Sequence, residues 1–515
     1  MSTTTPTNTS ANKIAKNTLF LYLRTLATIA IKIFTIKYLW LALGLIDYGV
    51  FSLVAGFVFM FTFISGSMTG SIQRYMSMAL GKGDPEYTRR VFSTSVRVQL
   101  ILILCLLILG ETAGLWTVNY FLEIPPGKEL AANVVYQGTL FGMLLTMITV
   151  PYNACLIAHE HMHIFGYYGI LEVMLQFGAV LLISILPDYR LIAYSILLVL
   201  IGIVMRIIYS VYCHRHFAET RYEKSRDKDL RKGMLNFQKW TFVGMIGFAA
   251  RDGGIGVVLN RFFDMAILAA KGIASNIYNV INGFASNFTL ALNPQITKRY
   301  AVGDIDGMVK LVMSGCKYSF ILMSFVAVPL IVAAKLVLTV WLDEITSFTV
   351  GFVQLMVALA WLESVVNPIT TAIQATGKIK GFQIAICCIM LSILPIGWVW
   401  LKFTHNPYLI FVTMLLCSAI GIATRVWILH NFVSFRITAF IKKVYLRTLP
   451  CMAVAGLVSM LIFPAFPFNL LGLIAFCISS ILIMMPLIYF ISLDRSEKTF
   501  VNDKFKGFAN RFCKK

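Results

Sequence analysis

Residues 73–84 read QRYMSMALGKGD, and residues 298–306 read KRYAVGDID. Further along, residues 151–162 read PYNACLIAHEHM and residues 368–379 read PITTAIQATGKI. The first pair is offset by 225 residues and the second by 217. Two landmarks that recur in the same order at nearly one spacing indicate a duplicated unit of roughly 220 residues.

Apolar runs fill that unit. Of the 515 residues, 58% are hydrophobic and 13% charged, against about 25% charged in a soluble protein. Runs of about 20 apolar residues, each long enough to cross a hydrocarbon core about 30 Å thick, recur from Leu19 to Phe490. A transmembrane β-barrel is excluded, because its strands would alternate apolar and polar residues. The expected fold is an all-α polytopic membrane protein with about fourteen spans. They fall near 14–40, 47–72, 90–118, 131–158, 163–186, 190–214, 236–260, 270–296, 309–334, 346–374, 380–402, 406–430, 441–463 and 468–492. The organisation expected is an N-lobe over 1–216, a charged linker over 217–235, a C-lobe over 236–430, two further spans over 431–492, and a basic tail over 493–515.

Charge sets the topology. The net charge is +21, which in a soluble chain would suggest nucleic acid. Here the basic residues cluster in alternate loops: Lys13, Lys16, Arg74, Lys82, Arg89, Arg90, Arg231, Lys232, Lys298, Arg299, Lys378, Lys380, Lys442 and Lys443 all fall on one side. The positive-inside rule makes that side cytoplasmic and places both termini there. The excess charge then faces anionic membrane lipid, and no nucleic-acid partner is expected. Six spans per copy is an even number, so the repeat is parallel, with a site expected near the midplane between the halves. In the tail, Val501, Phe505, Phe508 and Phe512 form one apolar face, as in a helix lying on a membrane surface.

Motifs for hydrolytic chemistry are missing from the sequence. No GxxxxGK[ST], HExxH or Ser-His-Asp order is found, so neither ATP hydrolysis nor another enzyme activity is expected. The ten cysteines show no CxxC spacing and read as small core residues. HEHMH (159–163) has the letters of a metal site, but its repeat counterpart TGKIK has no histidine, and no metal is expected. No cleavable signal peptide is expected either, the first apolar run being too long for one.

Polar stripes inside the spans carry more information. In the first span Asn17, Arg24, Thr28, Lys32 and Thr35 share a face. An intramembrane charge costs about 2.5–3.5 kcal/mol on insertion scales, so two on one face favour a hydrated cavity; snorkelling to opposite surfaces is the alternative. The seventh span carries Gly244, Gly247, Arg251 and Gly254, with Asp252 beside Arg251. Aligning Asn17 with Asn236 sets Lys32 opposite Arg251; an Arg251–Asp252 ion pair is the alternative. The eighth span carries Ser275, Asn279, Asn282, Ser286, Thr289 and Asn293 on one face, and the tenth Glu363, Asn367, Thr370 and Gln374. The second span is apolar at the matching positions, Val50, Val54, Phe57 and Phe61. Glu111 and Glu172 read as structural partners of cations. Glu363 and Asp252 are the candidates for coupling to H+ or Na+.

Five stretches carry a resemblance: NKIAKNTLFLYLRT (12–25), LGLIDYGVFSLVAGFV (43–58), QRYMSMALGKGD, VFSTSV (91–96) and VPYNACLIAHEHMHIFGYYGILEV (150–173). They resemble the O-antigen and polysaccharide flippases, in the superfamily that also holds the multidrug-and-toxin extruders and the lipid II flippase. The resemblance implies a bacterial inner-membrane protein that moves undecaprenyl-pyrophosphate-linked oligosaccharide by alternating access. It further implies two six-helix lobes around a cationic cavity, two extra C-terminal helices, no cofactor beyond a coupling ion, and polysaccharide polymerases or glycosyltransferases as partners. Arg24, Lys32 and Arg251 are the positions that would take the cationic role. Asn279, Asn282, Ser286, Asn367 and Gln374 would face sugar. The rivals are a cation-coupled multidrug antiporter on the same fold, which would want an acidic, aromatic lumen, and a membrane-embedded polymerase or glycosyltransferase.

Overall fold

The computed structural model describes residues 6–59, 62–120, 124, 126–186, 188–223, 227–263, 265–341, 348–494, 497–499 and 502. Phe61, the side chains of Asn17 and Phe57, and Val501, Phe505, Phe508 and Phe512 of the tail lie outside the described residues. Among the described residues every element is helical. The first copy runs through α1 (Pro6–Phe59), α2 (Thr62–Lys82), α3 (Pro85–Leu109), α4 (Leu115–Tyr120), α5 (Glu129–Ala158), α6 (Met162–Ile185) and α7 (Arg190–His216). The second runs through α8 (Lys228–Phe262), α9 (Met265–Ala301), α10 (Ile305–Val332), α11 (Ala334–Trp341), α12 (Thr349–Glu363), α13 (Val366–Thr376), α14 (Lys380–Thr404) and α15 (Tyr408–Val433). α16 (Ile437–Phe440), α17 (Leu449–Ile462) and α18 (Leu470–Leu487) follow.

The duplication is visible in the turns. Gly83 (φ 69°) and Gly303 (φ 79°) are left-handed, a region open to glycine because it lacks Cβ. Each is followed by an aspartate that caps the next helix: Asp84 Oδ1 accepts the Tyr87 amide at 2.9 Å, and Asp304 Oδ1 that of Gly307 at 2.8 Å. Such caps satisfy amides that the first helical turn leaves free. Glu160 (φ 64°) matches Gly377 (φ 78°), and Tyr189 (φ 56°) matches His405 (φ 52°). The Arg-Tyr pairs, by contrast, are not counterparts. Arg74 lies ten residues before Asp84, whereas Arg299 lies five before Asp304. Arg74 accordingly donates to the carbonyls of Gln374 and Ala375, while Arg299 pairs with Asp304. The Gly-Asp turn, not the Arg-Tyr letters, carries the repeat.

One turn of helix breaks the symmetry. α5 runs unbroken through Pro151, but its counterpart is split into α12 and α13, bent by 40°. Pro368 lacks an amide proton and its ring crowds the carbonyl four residues back, at Ser364. That freed carbonyl accepts from Ser319 Oγ at 2.8 Å, and the carbonyl of Val365 accepts from the Cys316 thiol at 3.4 Å. Both donors come from α10, so the break is built into the packing. Ser319→Ala leaves a buried carbonyl unsatisfied, and we expect about 1–3 kcal/mol of destabilisation. A lowered thermal-unfolding midpoint in detergent checks this, with Ser479→Ala, at a half-buried serine whose hydroxyl bonds only its own helix at Ala475, as the control.

Eleven described helices are long and apolar enough to cross a membrane, and twelve with the bent pair; the chain is a multi-pass membrane protein. The difference from fourteen lies at two positions. The expected span at 47–72 is divided between the part of α1 beyond its break at Gly44 (φ 73°, ψ 175°) and α2. α9 has 37 residues, but its amide stripe makes it too polar to qualify. By packing, the chain forms two units: Met1–Ile246 with Leu290–Met308 and Gln374–Ile384, and Gly247–Thr289 with Val309–Ile373 and Ala385–Lys515.

Candidate functional site

The second unit holds a cavity of about 460 Å³. α8 brings Phe248 and Arg251 to it, α9 brings Tyr278, Asn279, Asn282 and Ser286, α12–α13 bring Glu363 and Asn367, and α15 brings Arg425. Glycines let α8 close on α14: a Cβ on Gly247 would lie 2.9 Å from the Cys387 backbone, and one on Gly254 would lie 2.7 Å from Leu394. This approach presents Arg251, between them, to the cavity.

Arg251 is 2% exposed and its guanidinium is engaged on three sides. Nε donates to Asp252 at 2.8 Å, Nη1 to Glu363 at 3.2 Å, and Nη2 to the Tyr278 hydroxyl at 3.4 Å. The Glu363 carboxylate also accepts from Ser418 Oγ at 2.8 Å and from Tyr278. Glu363 ends α12 at the helix break, where the bend turns its carboxylate among these donors. Buried carboxylates need such saturation, because an unpaired buried charge is costly. Arg425, 3% exposed, adds a second guanidinium whose charge acts on both Glu363 and Arg251. Asp252 is 56% exposed at its side chain, and Lys271 Nζ donates to its backbone carbonyl at 2.9 Å.

Two arginines and one glutamate are among the lining residues, and Asp252, outside the lining, pairs with Arg251. Asn279, Asn282 and Ser286 supply an amide and hydroxyl wall on α9. Asn367, opposite on α13, donates to Thr289 at 3.4 Å. The cavity thus offers amide and hydroxyl hydrogen-bonding groups beside two guanidiniums and a carboxylate.

The other predicted residues lie in the first unit. Arg24 is half-buried; its guanidinium lies over the Phe165 ring at 4.4 Å. Gly169 makes room for it, since a Cβ there would come within 2.3 Å of Arg24 Nε. Lys32 is exposed, and Glu172 lies in the field of both cations. Glu111 accepts from Gln137 at 3.0 Å. Gln374 belongs to the first unit, where its carbonyl accepts from Arg74 Nε, whereas Asn367 belongs to the second. Sequence reasoning missed Tyr278, Ser418 and Arg425. A lone arginine inside the apolar run 408–433 was the available signal for Arg425.

Solved structures share this architecture. A Vibrio cholerae MATE transporter, VcmN, in a mutant form matches with a TM-score of 0.68 over 84% of this chain and 99% of its own, at 14% identity. An outward-facing multidrug-resistance MATE transporter of the MOP superfamily matches at 0.67 over 82% and 97%, at 11% identity. The chain has the MATE fold. A MATE structure in the straight conformation gives 0.66 over 83% and 97%, at 14% identity. No protein-family profile and no curated protein matches the sequence. At such identities the likeness concerns the path of the chain, and the cavity's side chains have to be read for themselves.

Proposed function

We propose that this chain is a secondary transporter that carries its cargo across a bacterial inner membrane by alternating access, without nucleotide hydrolysis and without being an enzyme. Its N-lobe and C-lobe are the moving parts, and both termini face the cytoplasm. Two cargoes compete. The MATE neighbours, one of them titled a multidrug-resistance transporter, favour an antiporter of organic compounds coupled to H+ or Na+. The cavity favours a lipid-linked oligosaccharide, with polysaccharide polymerases or glycosyltransferases as working partners.

The single observation behind the second cargo is the pair of buried arginines set against one glutamate beside an amide wall. An organic cation entering that space meets two buried guanidiniums against a single lining carboxylate, in a low dielectric where like charges repel most strongly. A pyrophosphate meets the positive charge of two guanidiniums, a residue type suited to phosphate, and sugar hydroxyls meet Asn279, Asn282 and Ser286. Outward movement of an anion is also downhill, by about 2.3 kcal/mol per charge per 100 mV.

Proteoliposomes decide between them. A fluorescent polyprenyl-pyrophosphoryl saccharide should become accessible to a membrane-impermeant quencher faster with the protein than without. Ethidium efflux driven by a pH or Na+ gradient should stay at the protein-free rate. The reverse pattern assigns multidrug export, and no movement of either probe under either gradient removes the transporter reading.

A further inference from the structure

We propose that Cys155, His159 and Glu219 bind a divalent ion of the zinc class, tying the segment that follows α7 to the turn between α5 and α6. The three side chains lie in the first unit, and their ligand atoms all fall within 4.8 Å of one another. This proposal is independent of the cargo. It also reverses the reading of HEHMH, since only the first histidine of that run takes part and the other two ligands lie outside it.

Local structure accounts for each position. Cys155 and His159 are four residues apart at the end of α5, a spacing that puts both on one helical face. His159 is held by its ring, which stacks on Phe217 at 4.2 Å and 16°. Glu219 sits on a single 3-10 turn, Ala218–Thr220. Thr220 is fully buried and fastens that turn by donating to the carbonyls of Cys213 at 3.0 Å and Phe217 at 2.8 Å. Glu219 thereby reaches His159 Nε2, with which it is in contact. The neighbouring His161 is directed elsewhere, toward the Tyr212 hydroxyl at 3.2 Å.

The donor set matches the ion. Thiolate, imidazole and carboxylate are all zinc ligands, at about 2.0–2.3 Å from the metal. A tetrahedral ion with such bonds needs ligand atoms about 3.3–3.7 Å apart, which side-chain rotation reaches from the present positions. One thiolate and one carboxylate neutralise a dication, so a partly buried site carries no net charge when filled. Binding releases the Cys155 thiol proton to solvent. Three protein ligands leave one position for water, and His159 and Glu219, with side chains 24% and 13% exposed, provide the way in.

The test uses full-length, untagged protein in detergent, stripped with a chelator and titrated with Co2+. A thiolate-to-cobalt charge-transfer band should rise and saturate at one ion per chain, and Zn2+ should displace it. Cys155→Ser should abolish the band. Glu219→Gln, which keeps a hydrogen bond to His159, should retain the band with Zn2+ affinity reduced by more than the roughly 10–100-fold that loss of an outer-shell partner costs. This second variant carries the test if Cys155→Ser does not fold. Absence of the band in the wild type overturns the proposal. So does a band that survives Cys155→Ser, or metal held only by exposed histidines such as His214 and His216.

Discussion

Glu363→Leu should destabilise the protein by about 3–5 kcal/mol, the usual cost of removing one partner from a buried ion pair. The carboxylate serves Arg251, Tyr278 and Ser418 together, and its loss leaves the buried Arg251 with the largely exposed Asp252 as its remaining ion-pair partner among the described residues. Glu363→Gln should cost less, since an amide oxygen still accepts from Ser418 or Tyr278. The double variant Arg251→Met with Glu363→Leu should regain most of the lost stability, because both members of the pair are then gone, yet should not regain transport. The unfolding midpoint is read with a maleimide dye that reacts as buried thiols such as Cys316 and Cys417 become exposed. A midpoint for Glu363→Leu equal to that of the wild type would show that the network contributes nothing to folding.

The parts of this network differ in how readably the sequence announces them. Arg251, Glu363 and the α9 amides stand out because charges and amides are expensive within apolar runs. Tyr278 and Ser418 do not, because a tyrosine or serine in such a run is ordinary; only the packing of α9 and α15 around Glu363 gives them a partner. Arg425 obeys the same rule as Arg251, a charge inside an apolar run. The structure buries it. Gln374 lies in the first unit, whereas Asn367 lies in the second. Both residues follow the bend on α13, and Gln374 is seven residues, about 10 Å, further along that helix than Asn367. The repeat was legible in outline, but matched letters at Arg74 and Arg299 misled by five residues. The conformational demand of a left-handed glycine before a capping aspartate is what both copies share.

Arg425→Gln is the change whose sign separates the two cargoes. Arg251 is already bound to Glu363, Asp252 and Tyr278, and Arg425 is the second buried guanidinium that lines the cavity. If the cargo is a lipid-linked pyrophosphate, Arg425→Gln removes a charge-assisted hydrogen bond worth about 1.5–3 kcal/mol. Apparent affinity in the saccharide assay then falls by roughly 10- to 150-fold, at about 1.4 kcal/mol per factor of ten. Arg425→Lys should recover only part of this, because an ammonium keeps the charge but lacks the planar fork that grips two oxygens. If the cargo is an organic cation, the same substitution removes repulsion, and ethidium efflux rises above that of the wild type. A destabilised but otherwise indifferent cavity would lower both activities in proportion to the folded fraction, and the thiol-dye midpoint measures that fraction separately. Neutralising one buried guanidinium therefore gives opposite outcomes for the two readings: a loss confined to the saccharide supports the lipid-linked cargo, and a gain in ethidium efflux supports the organic cation.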